Sequence, residues 1–346
     1  MQLKSPHFHR VPTYNSWEMN QGYIYPALAV YSITLITGLP ANMLAFYTFV
    51  RNVKQKAKPM DVLLLSLTIS DLIFIFFLPF RIKEVAENGW NMTYFSCTLS
   101  VFMFYTTIYN SSLHLSAISV VRYLGVAFPI KYTQLKLNPQ YGIVASVLFW
   151  VISTAHCSTI IVVQHFNIYT PNTTEEQTEQ NICYGKISVD YGYISLLVEL
   201  FLLFFCIPFI ICCFCYIRCI MILSNLPNLK PRKRRRAIGL ALCTLVVFAI
   251  CFMPYNMSHL VVHIISGPTP EWKVFALLPS TFNACLDPFV FYFSSSAVRG
   301  TFKSFWQGLV KRLCCCFSVL RCCQTSHSSP EEYVPPTTSD SLTAPV

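Results

Sequence analysis

Residues 60–83 read MDVLLLSLTISDLIFIFFLPFRIK, and this stretch decides the class of fold. A helix needs roughly 20 apolar residues to cross the hydrocarbon core of a bilayer, and the stretch is long enough to do so. Asp71 stands alone near its middle. Because a single charge in hydrocarbon costs free energy, an isolated intramembrane carboxylate is a candidate functional residue.

Six more stretches of the same kind occur along the chain. The chain of 346 residues is 54% hydrophobic and only 12% charged, whereas soluble domains carry about 25% charged residues. Since lipid offers the backbone no hydrogen-bond partners, the stretches must be helices. The sequence therefore predicts an all-α membrane protein, a seven-transmembrane helix bundle, and excludes a soluble fold. The predicted spans one to seven are Tyr23–Val50, Met60–Lys83, Phe95–Val126, Tyr141–Val163, Tyr191–Leu223, Ala237–Ile265 and Val274–Ser294.

Basic residues flank the spans unequally. They concentrate in the loop after span one, in the loop before span six and in the segment after span seven. Because cytoplasmic loops carry an excess of Lys and Arg, we predict an outside N-terminus and an inside C-terminus in the plasma membrane. The formal net charge of +10 reflects this topology and an attraction to anionic membrane lipids. We expect no nucleic-acid partner, since no soluble domain exists to carry the basic residues.

Four segments follow from this plan. Residues 1–22 form an extracellular tail, residues 23–295 the seven-transmembrane domain, residues 296–313 an eighth helix, and residues 314–346 a cytoplasmic tail that is mostly disordered. The eighth helix is amphipathic, which is typical of a helix lying on the membrane surface. Its apolar positions at helical spacing are Val298, Phe302, Phe305, Trp306 and Leu309.

The 16 cysteines separate by depth in the membrane. Those within the spans are expected to act as small apolar residues. Cys97 and Cys183 lie at the outer surface, where the compartment is oxidising, so we predict a disulfide between them. Cys314, Cys315 and Cys316 follow the amphipathic helix and are candidates for palmitoylation, with unmodified thiols as the alternative.

Glycosylation sequons begin at four asparagines. Asn110 and Asn256 lie inside spans and should be unmodified. Asn172 lies in the long outer loop and is the preferred glycan site. Asn91 also has a sequon, but it lies close to the membrane.

Short motifs recur in order along the spans. Each is a weak signal alone, but their order and spacing resemble the rhodopsin-like (class A) G-protein-coupled receptors over essentially the whole membrane region. The motifs are GLPAN at 38–42, LPF at 78–80, VRY at 121–123, Trp150, Pro208 with Tyr216, CFMPYN at 251–256 and DPFVF at 287–291.

Finer motifs resemble the free fatty acid receptors, the short-chain branch most closely. They are DVLLLSLTISD, FYTTIY, RYLGVAFPI, AHC, RRRAIGLA, PYNMSHLV and DPFVFYFSSS. The resemblance implies activation by small carboxylates, the short-chain fatty acids, from outside the cell. It further implies signalling through heterotrimeric G proteins, Gi/o with Gq as a further candidate, and binding of arrestin and receptor kinases at the tail.

The resemblance also indicates where a carboxylate would bind. The family uses two arginines near the tops of spans five and seven and a histidine in span six. The corresponding residues here are Leu197, Lys273 and His259. One hypothesis is that Lys273 and His259 together hold a small carboxylate, more weakly or at lower pH. The second is that the pocket takes another lipid or metabolite, because lysine does not replace arginine at a bidentate site.

Further residues correspond to pocket positions of the family. Tyrosine supplies an apolar wall with one hydrogen-bonding tip, although helix packing alone would also explain these aromatic residues. In the outer half of the membrane, Glu199 needs a partner if it is buried, and His156 is the predicted one. A structural polar contact is the alternative to ligand binding for that pair. The other candidates are Tyr105, Tyr109, Tyr255 and Asn256.

Four polar residues are expected to converge in the middle of the membrane, with Asn42 nearby. Their oxygen atoms suit a hard cation, and the resemblance implies an allosteric sodium ion; the alternative is a water-filled polar network. No other cofactor is expected. The four residues are Asp71, Ser111, Asn283 and Asp287.

The resemblance assigns activation to residues nearer the inner face. In the family, the arginine at the position of Arg122 changes between a contact that holds the inactive state and a contact with the G protein. Tyr216 is the predicted partner of Arg122 at the inner face. Val121 stands where most relatives have Asp or Glu, so Arg122 lacks a local counter-ion and we predict ligand-free signalling. Phe291 stands where a tyrosine is expected, with Tyr292 facing about 100° away. The remaining candidates are Tyr123, Phe252, Pro254, Asp287 and Pro288.

Three other classes of protein compete with a signalling receptor. An enzyme is not expected, because the chain shows no nucleophile–base pair, metal-ligand cluster or phosphate-binding glycine loop. A seven-helix transporter or light-driven pump is disfavoured, because the chain has no internal repeat and no lysine deep in span seven. A receptor-like partner that does not signal remains an alternative because of Val121.

Overall fold

The computed structural model describes residues 21–87, 89–135, 138–169, 196, 198–225, 231–264, 275–308 and 310. It divides the chain into two compact units, Met1–Arg299 and Gly300–Val346. Within the described ranges the secondary structure is helical and no strand occurs. The prediction of an all-α, seven-transmembrane fold is confirmed, since a helix occupies each predicted span.

The first four spans are long, uninterrupted helices. They extend beyond the predicted limits because each apolar core continues into polar residues that still form helical turns. A short helix, Pro129–Leu135, separates the third span from the fourth. The four helices are Gln21–Lys56, Pro59–Ala86, Tyr94–Ala127 and Gln140–Tyr169.

Spans five and six each contain a π-helical turn. In span five, Leu202–Cys206 is π-helical and Ile207–Ser224 is α-helical. Span six runs as Pro231–Val246, the π-helical Val247–Phe252 and Met253–Ile264. Pro208 and Pro254 lie just beyond the two π segments. Proline removes an N–H and clashes with the carbonyl one turn earlier, which explains the widened turns at these positions.

Span seven is interrupted as well. It begins with helical residues 275–277, continues as the 3-10 helix Leu278–Phe282 and ends as the α-helix Asn283–Ser294. Residues 296–308 are helical too, in the region predicted to be amphipathic.

Five of the described helices are long and apolar enough to cross a membrane by length and composition. The helices of spans three and seven are not among them. Span seven is divided into short segments, and span three carries many polar residues that lie inside the bundle. Asn110 and His114, both fully buried, belong to this polar group. The helix of span three packs against those of spans two, four and five, which gives its polar side chains neighbours on several sides.

A glycine sets the contact between spans two and four. A Cβ atom added to Gly142 would lie 2.6 Å from the carbonyl oxygen of Pro59 and 2.8 Å from its Cα. Because both atoms belong to the backbone, neither can rotate away. The absence of a side chain at Gly142 therefore allows the fourth helix to approach the start of the second.

Candidate functional site

Aromatic residues from three helices meet in the predicted outer half of the bundle. The rings of Tyr105 in span three and Tyr255 in span six are stacked, with centroids 5.7 Å apart. Tyr109 is buried, and its ring lies 4.8 Å from that of Phe204 in span five. The structure thus brings the three predicted tyrosines into one cluster. Each presents an apolar ring together with one hydroxyl group.

Asn256 lies next to this cluster in span six. Its side chain is buried, and Nδ2 donates a hydrogen bond to the carbonyl oxygen of Phe252 at 2.8 Å. Among the described residues, Oδ1 of Asn256 has no hydrogen-bond partner. A buried acceptor without a partner costs free energy, so this oxygen is available to a ligand or to a water molecule.

Arg81, near the end of span two, is a cation that the sequence analysis missed. Its Nη1 donates to Oε2 of Glu84 at 2.6 Å, and the two side chains are only 13% and 9% exposed. The guanidinium carbon lies 5.2 Å from the centroid of the Phe104 ring. Tyr31 and Tyr105 are close enough to interact with it electrostatically. Arg81 therefore adds a buried positive charge beside the tyrosine cluster.

Glu199 and His156 are brought together as predicted, but they are not enclosed. Oε1 of Glu199 lies 4.0 Å from Nε2 of His156, at the limit of an ion pair, and the Glu199 side chain is 57% exposed. Because the Glu199 carboxylate is mostly exposed, its proximity to His156 is not required to offset a cost of burial. The imidazole of His156 also contacts the edge of Phe204, at 5.3 Å between ring centroids.

Two buried carboxylates lie in the middle of the bundle. Asp71 and Asp287 are close enough to repel each other, and none of their four carboxylate oxygens has a hydrogen-bond partner within the described ranges. Nδ2 of Asn42 donates to the carbonyl oxygen of Ala284 at 2.7 Å, while its Oδ1 is also unpartnered there.

The other two predicted members make different contacts. Ser111 Oγ donates to Ser70 Oγ at 3.4 Å, and Asn283 Oδ1 accepts the N–H of Ala284 at 2.7 Å. In the described part of the chain, no group of three or more His, Cys, Asp or Glu residues could hold a metal ion. Two buried carboxylates that repel each other need a positive charge or a proton nearby. Their unpartnered oxygens are therefore candidate ligands for a hard cation or for ordered water.

A continuous series of phenylalanine rings connects spans five and six. Its successive centroids are separated by 5.3–5.8 Å, and the last ring belongs to Phe252, which is buried. Rings of the series lie in both π-helical turns, so the two turns are joined by continuous aromatic packing. The series is Phe201, Phe205, Phe209, Phe248 and Phe252.

Arg122 connects spans three and seven at the opposite end of the bundle. Its Nη2 donates to the carbonyl oxygen of Ser294, and its Nε has no hydrogen-bond partner among the residues described. The hydroxyl of Tyr216 lies 3.1 Å from Oγ1 of Thr244. Tyr216 therefore joins spans five and six here, and its electrostatic interaction with Arg122 is consistent with the predicted proximity of the two residues.

The neighbours of these residues are aromatic. Tyr123 makes edge-on contacts with Phe128 and Phe214. Phe291 is fully buried and packs edge-on against Phe49, whereas Tyr292 is 43% exposed. The prediction that these two neighbouring residues of span seven face different directions is thus confirmed.

Comparison with known proteins identifies the architecture. Residues 41–291 match the family described as "7 transmembrane receptor (rhodopsin family)". The chain is 41% identical over 277 residues to free fatty acid receptor 3 of Mus musculus, covering 79% of this chain and 84% of the relative. It is 43% identical over 288 residues to free fatty acid receptor 2 of Homo sapiens, covering 82% and 84%. The chain belongs to the free fatty acid receptor family.

A more distant relative supports this placement within the rhodopsin family. A purinoceptor of Gallus gallus is 29% identical over 280 residues, covering 77% of this chain and 75% of the relative. As a member of the free fatty acid receptor family, the chain is a multi-pass membrane receptor and not an enzyme. Its partners as a receptor are a ligand and a G protein.

Several predicted functional residues of the receptor lie outside the described structure. His259 falls within the helix Met253–Ile264, but its side chain is not described. Cys97 is disulfide-bonded, and its predicted partner is beyond the described ranges. Asn91 is exposed just before the helix of span three, as a glycan site requires. The predicted residues that lie wholly outside the described ranges are Leu197, Lys273, Asn172, Cys183 and Cys314 to Cys316.

At the inner end of span three, Val121 precedes Arg122 at the position where the resemblance predicts an acidic residue. Within the described chain, no carboxylate lies within ion-pair distance of Arg122, although Asp61 is close enough to act on it electrostatically. The hydrogen bond that holds the guanidinium goes to a backbone carbonyl of span seven. A neutral acceptor binds a guanidinium less strongly than a carboxylate does, so this contact holds the Arg122 side chain less firmly than an ion pair would.

Proposed function

We propose that this receptor binds small carboxylates, the short-chain fatty acids, and signals through heterotrimeric G proteins of the Gi/o class, with Gq as a second candidate. The observation that carries the proposal is 41–43% identity, over about four fifths of each chain, to proteins named free fatty acid receptors 2 and 3. The N-terminus faces outward and the C-terminus faces the cytoplasm of the plasma membrane, as the basic loops indicate.

The chemistry of the ligand demands positive charge. A carboxylate that leaves water needs charge-assisted hydrogen bonds to offset its lost hydration. Lys273 and His259 are the family-derived candidates for this role. Arg81 is a third cation, since it is buried beside Tyr105 and is already paired with a carboxylate at 2.6 Å. The tyrosine cluster would enclose the short alkyl chain, and Asn256 would offer a hydrogen-bonding atom.

A second candidate function is a receptor for a different lipid or metabolite. Leu197 supports this alternative, because it removes one of the two guanidinium groups that the family uses. A pocket with one arginine fewer would bind a less acidic or a longer ligand at lower cost. We favour the carboxylate, because Arg81 supplies a guanidinium group from span two.

Ligand binding is proposed to shift an equilibrium between two arrangements of the helices. The phenylalanine series of spans five and six would carry the change toward Tyr216 and Arg122. Arg122 would then leave Ser294, and the inner ends of spans three, five and six would accept a helix of the G protein.

Several further features complete the proposal. A disulfide would join Cys97 to Cys183, and Asn172 and Asn91 would carry glycans. Residues 296–313 would lie on the inner membrane surface, anchored by palmitoyl groups on the cysteines that follow. Arrestin and receptor kinases would act on the tail at 314–346.

A cell-based screen tests the ligand. Carboxylates from acetate to octanoate are applied to cells that express the wild-type receptor, Lys273→Ala or His259→Ala, with empty-vector cells as the control. We expect responses to the short members in wild-type cells, and weaker responses in both variants, because each loses a cationic group. Equal responses from all three receptors would show that neither Lys273 nor His259 contributes to the site. Responses of wild-type cells equal to those of empty-vector cells would contradict the proposed ligand.

A further inference from the structure

Four arginines surround one cavity at the predicted inner ends of spans six and seven. The cavity has a volume of about 200 Å³. Pockets for drug-sized ligands usually measure about 300–1,000 Å³, so this cavity suits a smaller chemical group. Its lining consists of Arg232, Arg235, Arg236, Tyr292, Phe293 and Arg299.

A glycine brings the two spans close together at this place. A Cβ atom added to Gly239 in span six would lie 2.6 Å from Cε1 of Phe293 in span seven. Because no side chain is present, the Phe293 ring packs directly onto the backbone of span six. The distance between the arginines of the two spans is thereby set by a defined helix contact rather than by loops.

The guanidinium of Arg299 is held in place. Its Nη1 donates to the carbonyl oxygens of Tyr292 at 2.7 Å and Phe293 at 3.2 Å, at the end of span seven. A cation is favourable there, since the carboxyl end of a helix carries partial negative charge. The group is therefore positioned before any ligand arrives.

The three arginines of span six are in a less favourable position. They belong to the first two turns of the helix Pro231–Val246, which has no acidic residue in its first turn. The amino end of a helix carries partial positive charge, so cations there are repelled and anions attracted. The sequence thus places positive charge where the helix itself would favour negative charge.

No carboxylate balances this charge within the described part of the chain, where none of the four arginines forms an ion pair. Burial lowers the pKa of Arg299, and neighbouring Arg236 lowers it further, as do Arg122 and Arg232. The guanidinium groups therefore repel one another and would be stabilised by an anion in the cavity.

We propose that Arg232, Arg235, Arg236 and Arg299 bind a phosphate monoester, which is carried by a lipid headgroup of the inner leaflet or by a soluble phosphate ester. A phosphate monoester bears a charge of about −1.5 to −2 at neutral pH, and guanidinium groups bind its oxygens in bidentate fashion. Tyr292 and Phe293 supply aromatic surface of the kind that favours the level of the headgroups. The inference is independent of the ligand proposed above.

Binding to full-length receptor in phosphatidylcholine nanodiscs, measured with and without phosphatase treatment, tests the proposal. The probes are phosphatidylinositol 4,5-bisphosphate, phosphatidylserine at matched total charge, and soluble inositol 1,4,5-trisphosphate. The variants are Arg235→Gln/Arg236→Gln and, to keep the charge but lose the planar fork, Arg235→Lys/Arg236→Lys. The control is Lys54→Gln/Lys56→Gln, which removes two exposed charges from the same predicted side of the membrane.

Hydrogen bonds to charged groups contribute about 1.5–3 kcal/mol each, so the glutamine variant, which loses two guanidinium groups, should lose roughly 100-fold or more in affinity for the bisphosphate lipid. The lysine variant should lose less, because it keeps both charges. The control should change much less, because Lys54 and Lys56 do not line the cavity. A loss confined to the arginine variants supports the site. If the soluble ester shows the same pattern and competes fully, the ligand is a soluble phosphate; if it does not compete, the ligand is the lipid.

Three results would overturn the proposal. The control variant could lose as much affinity as the arginine variants, which would mean diffuse attraction. Phosphatidylserine at matched charge could bind equally well, which would exclude recognition of a monoester. The lipid could bind only after phosphatase treatment, which would assign the cavity to the phosphorylated tail of the receptor rather than to a small ligand. The lysine variant and a thermal unfolding measurement distinguish lost binding from lost folding.

Discussion

The ion pair between Arg81 and Glu84 allows the proposed carboxylate site to be tested through stability. The perturbation is Glu84→Gln, which keeps the shape of the side chain and one carbonyl acceptor but removes the negative charge. The side chains are 13% and 9% exposed and are joined at 2.6 Å. Removing one partner of a buried pair costs about 3–5 kcal/mol, because the other charge is left unpaired. Since glutamine still accepts a hydrogen bond, we expect a loss of about 2–3 kcal/mol.

The expected consequence is that Arg81 keeps its positive charge but loses its counter-ion, so that it can bind an anionic ligand. With residue 84 neutral, an added carboxylate such as propionate can bind beside Arg81 as its counter-ion. Propionate should therefore raise the unfolding temperature of Glu84→Gln more than that of the wild type. Purified receptor in detergent is heated with and without propionate, and unfolding is followed with a thiol-reactive dye.

Glu87→Gln is a matched control on the same helix. Glu87 lies 3.8 Å from Lys83, and their side chains are 39% and 48% exposed. An exposed pair of this kind contributes about 0–1 kcal/mol. The reasoning is refuted if Glu84→Gln unfolds at the same temperature as Glu87→Gln. It is equally refuted if propionate stabilises the two variants by the same amount.

Three further predictions concern other parts of the receptor. Val121→Glu gives Arg122 a neighbouring carboxylate and should lower ligand-free nucleotide exchange on the G protein. Unchanged exchange would show that basal signalling is not caused by the lack of an acidic residue at position 121. Asp71→Asn removes one of the two central carboxylates and should abolish any effect of sodium on agonist affinity, and a persistent sodium effect would locate the ion elsewhere. Gly142→Ala places a Cβ atom 2.6 Å from the carbonyl oxygen of Pro59 and should destabilise the receptor by about 1–3 kcal/mol; wild-type thermal stability would show that the two helices can separate without cost.

The bilayer explains why the fold could be predicted from the sequence. A long apolar stretch is most stable in lipid as a helix, and the described part of each span is helical. The ends moved outward because polar residues can continue a helix beyond the hydrocarbon. The π-helical turns in spans five and six were not predicted, although Pro208 and Pro254 were the available signal.

The site was less predictable, because it depends on side-chain partners. The tyrosine cluster was found through family positions, and the structure joins Tyr105 to Tyr255. Arg81 was missed because it lies at the end of an apolar stretch, where a long cationic side chain ordinarily reaches the interface. Its burial follows from Glu84 and the ring of Phe104, and no single position reveals such a pairing. The proximity of Glu199 to His156 was predicted, but the 57% exposure of the Glu199 side chain could not be read from its position in an apolar stretch.

Nucleotide exchange on a purified Gi heterotrimer, with the receptor reconstituted in nanodiscs, tests the central claim most directly. Propionate and propionamide have nearly the same size and shape, and only the first carries a negative charge. The account predicts that propionate accelerates exchange and that propionamide leaves it at the basal rate. Equal rates with the two compounds, whether both are active or both inactive, would contradict a receptor that recognises the carboxylate.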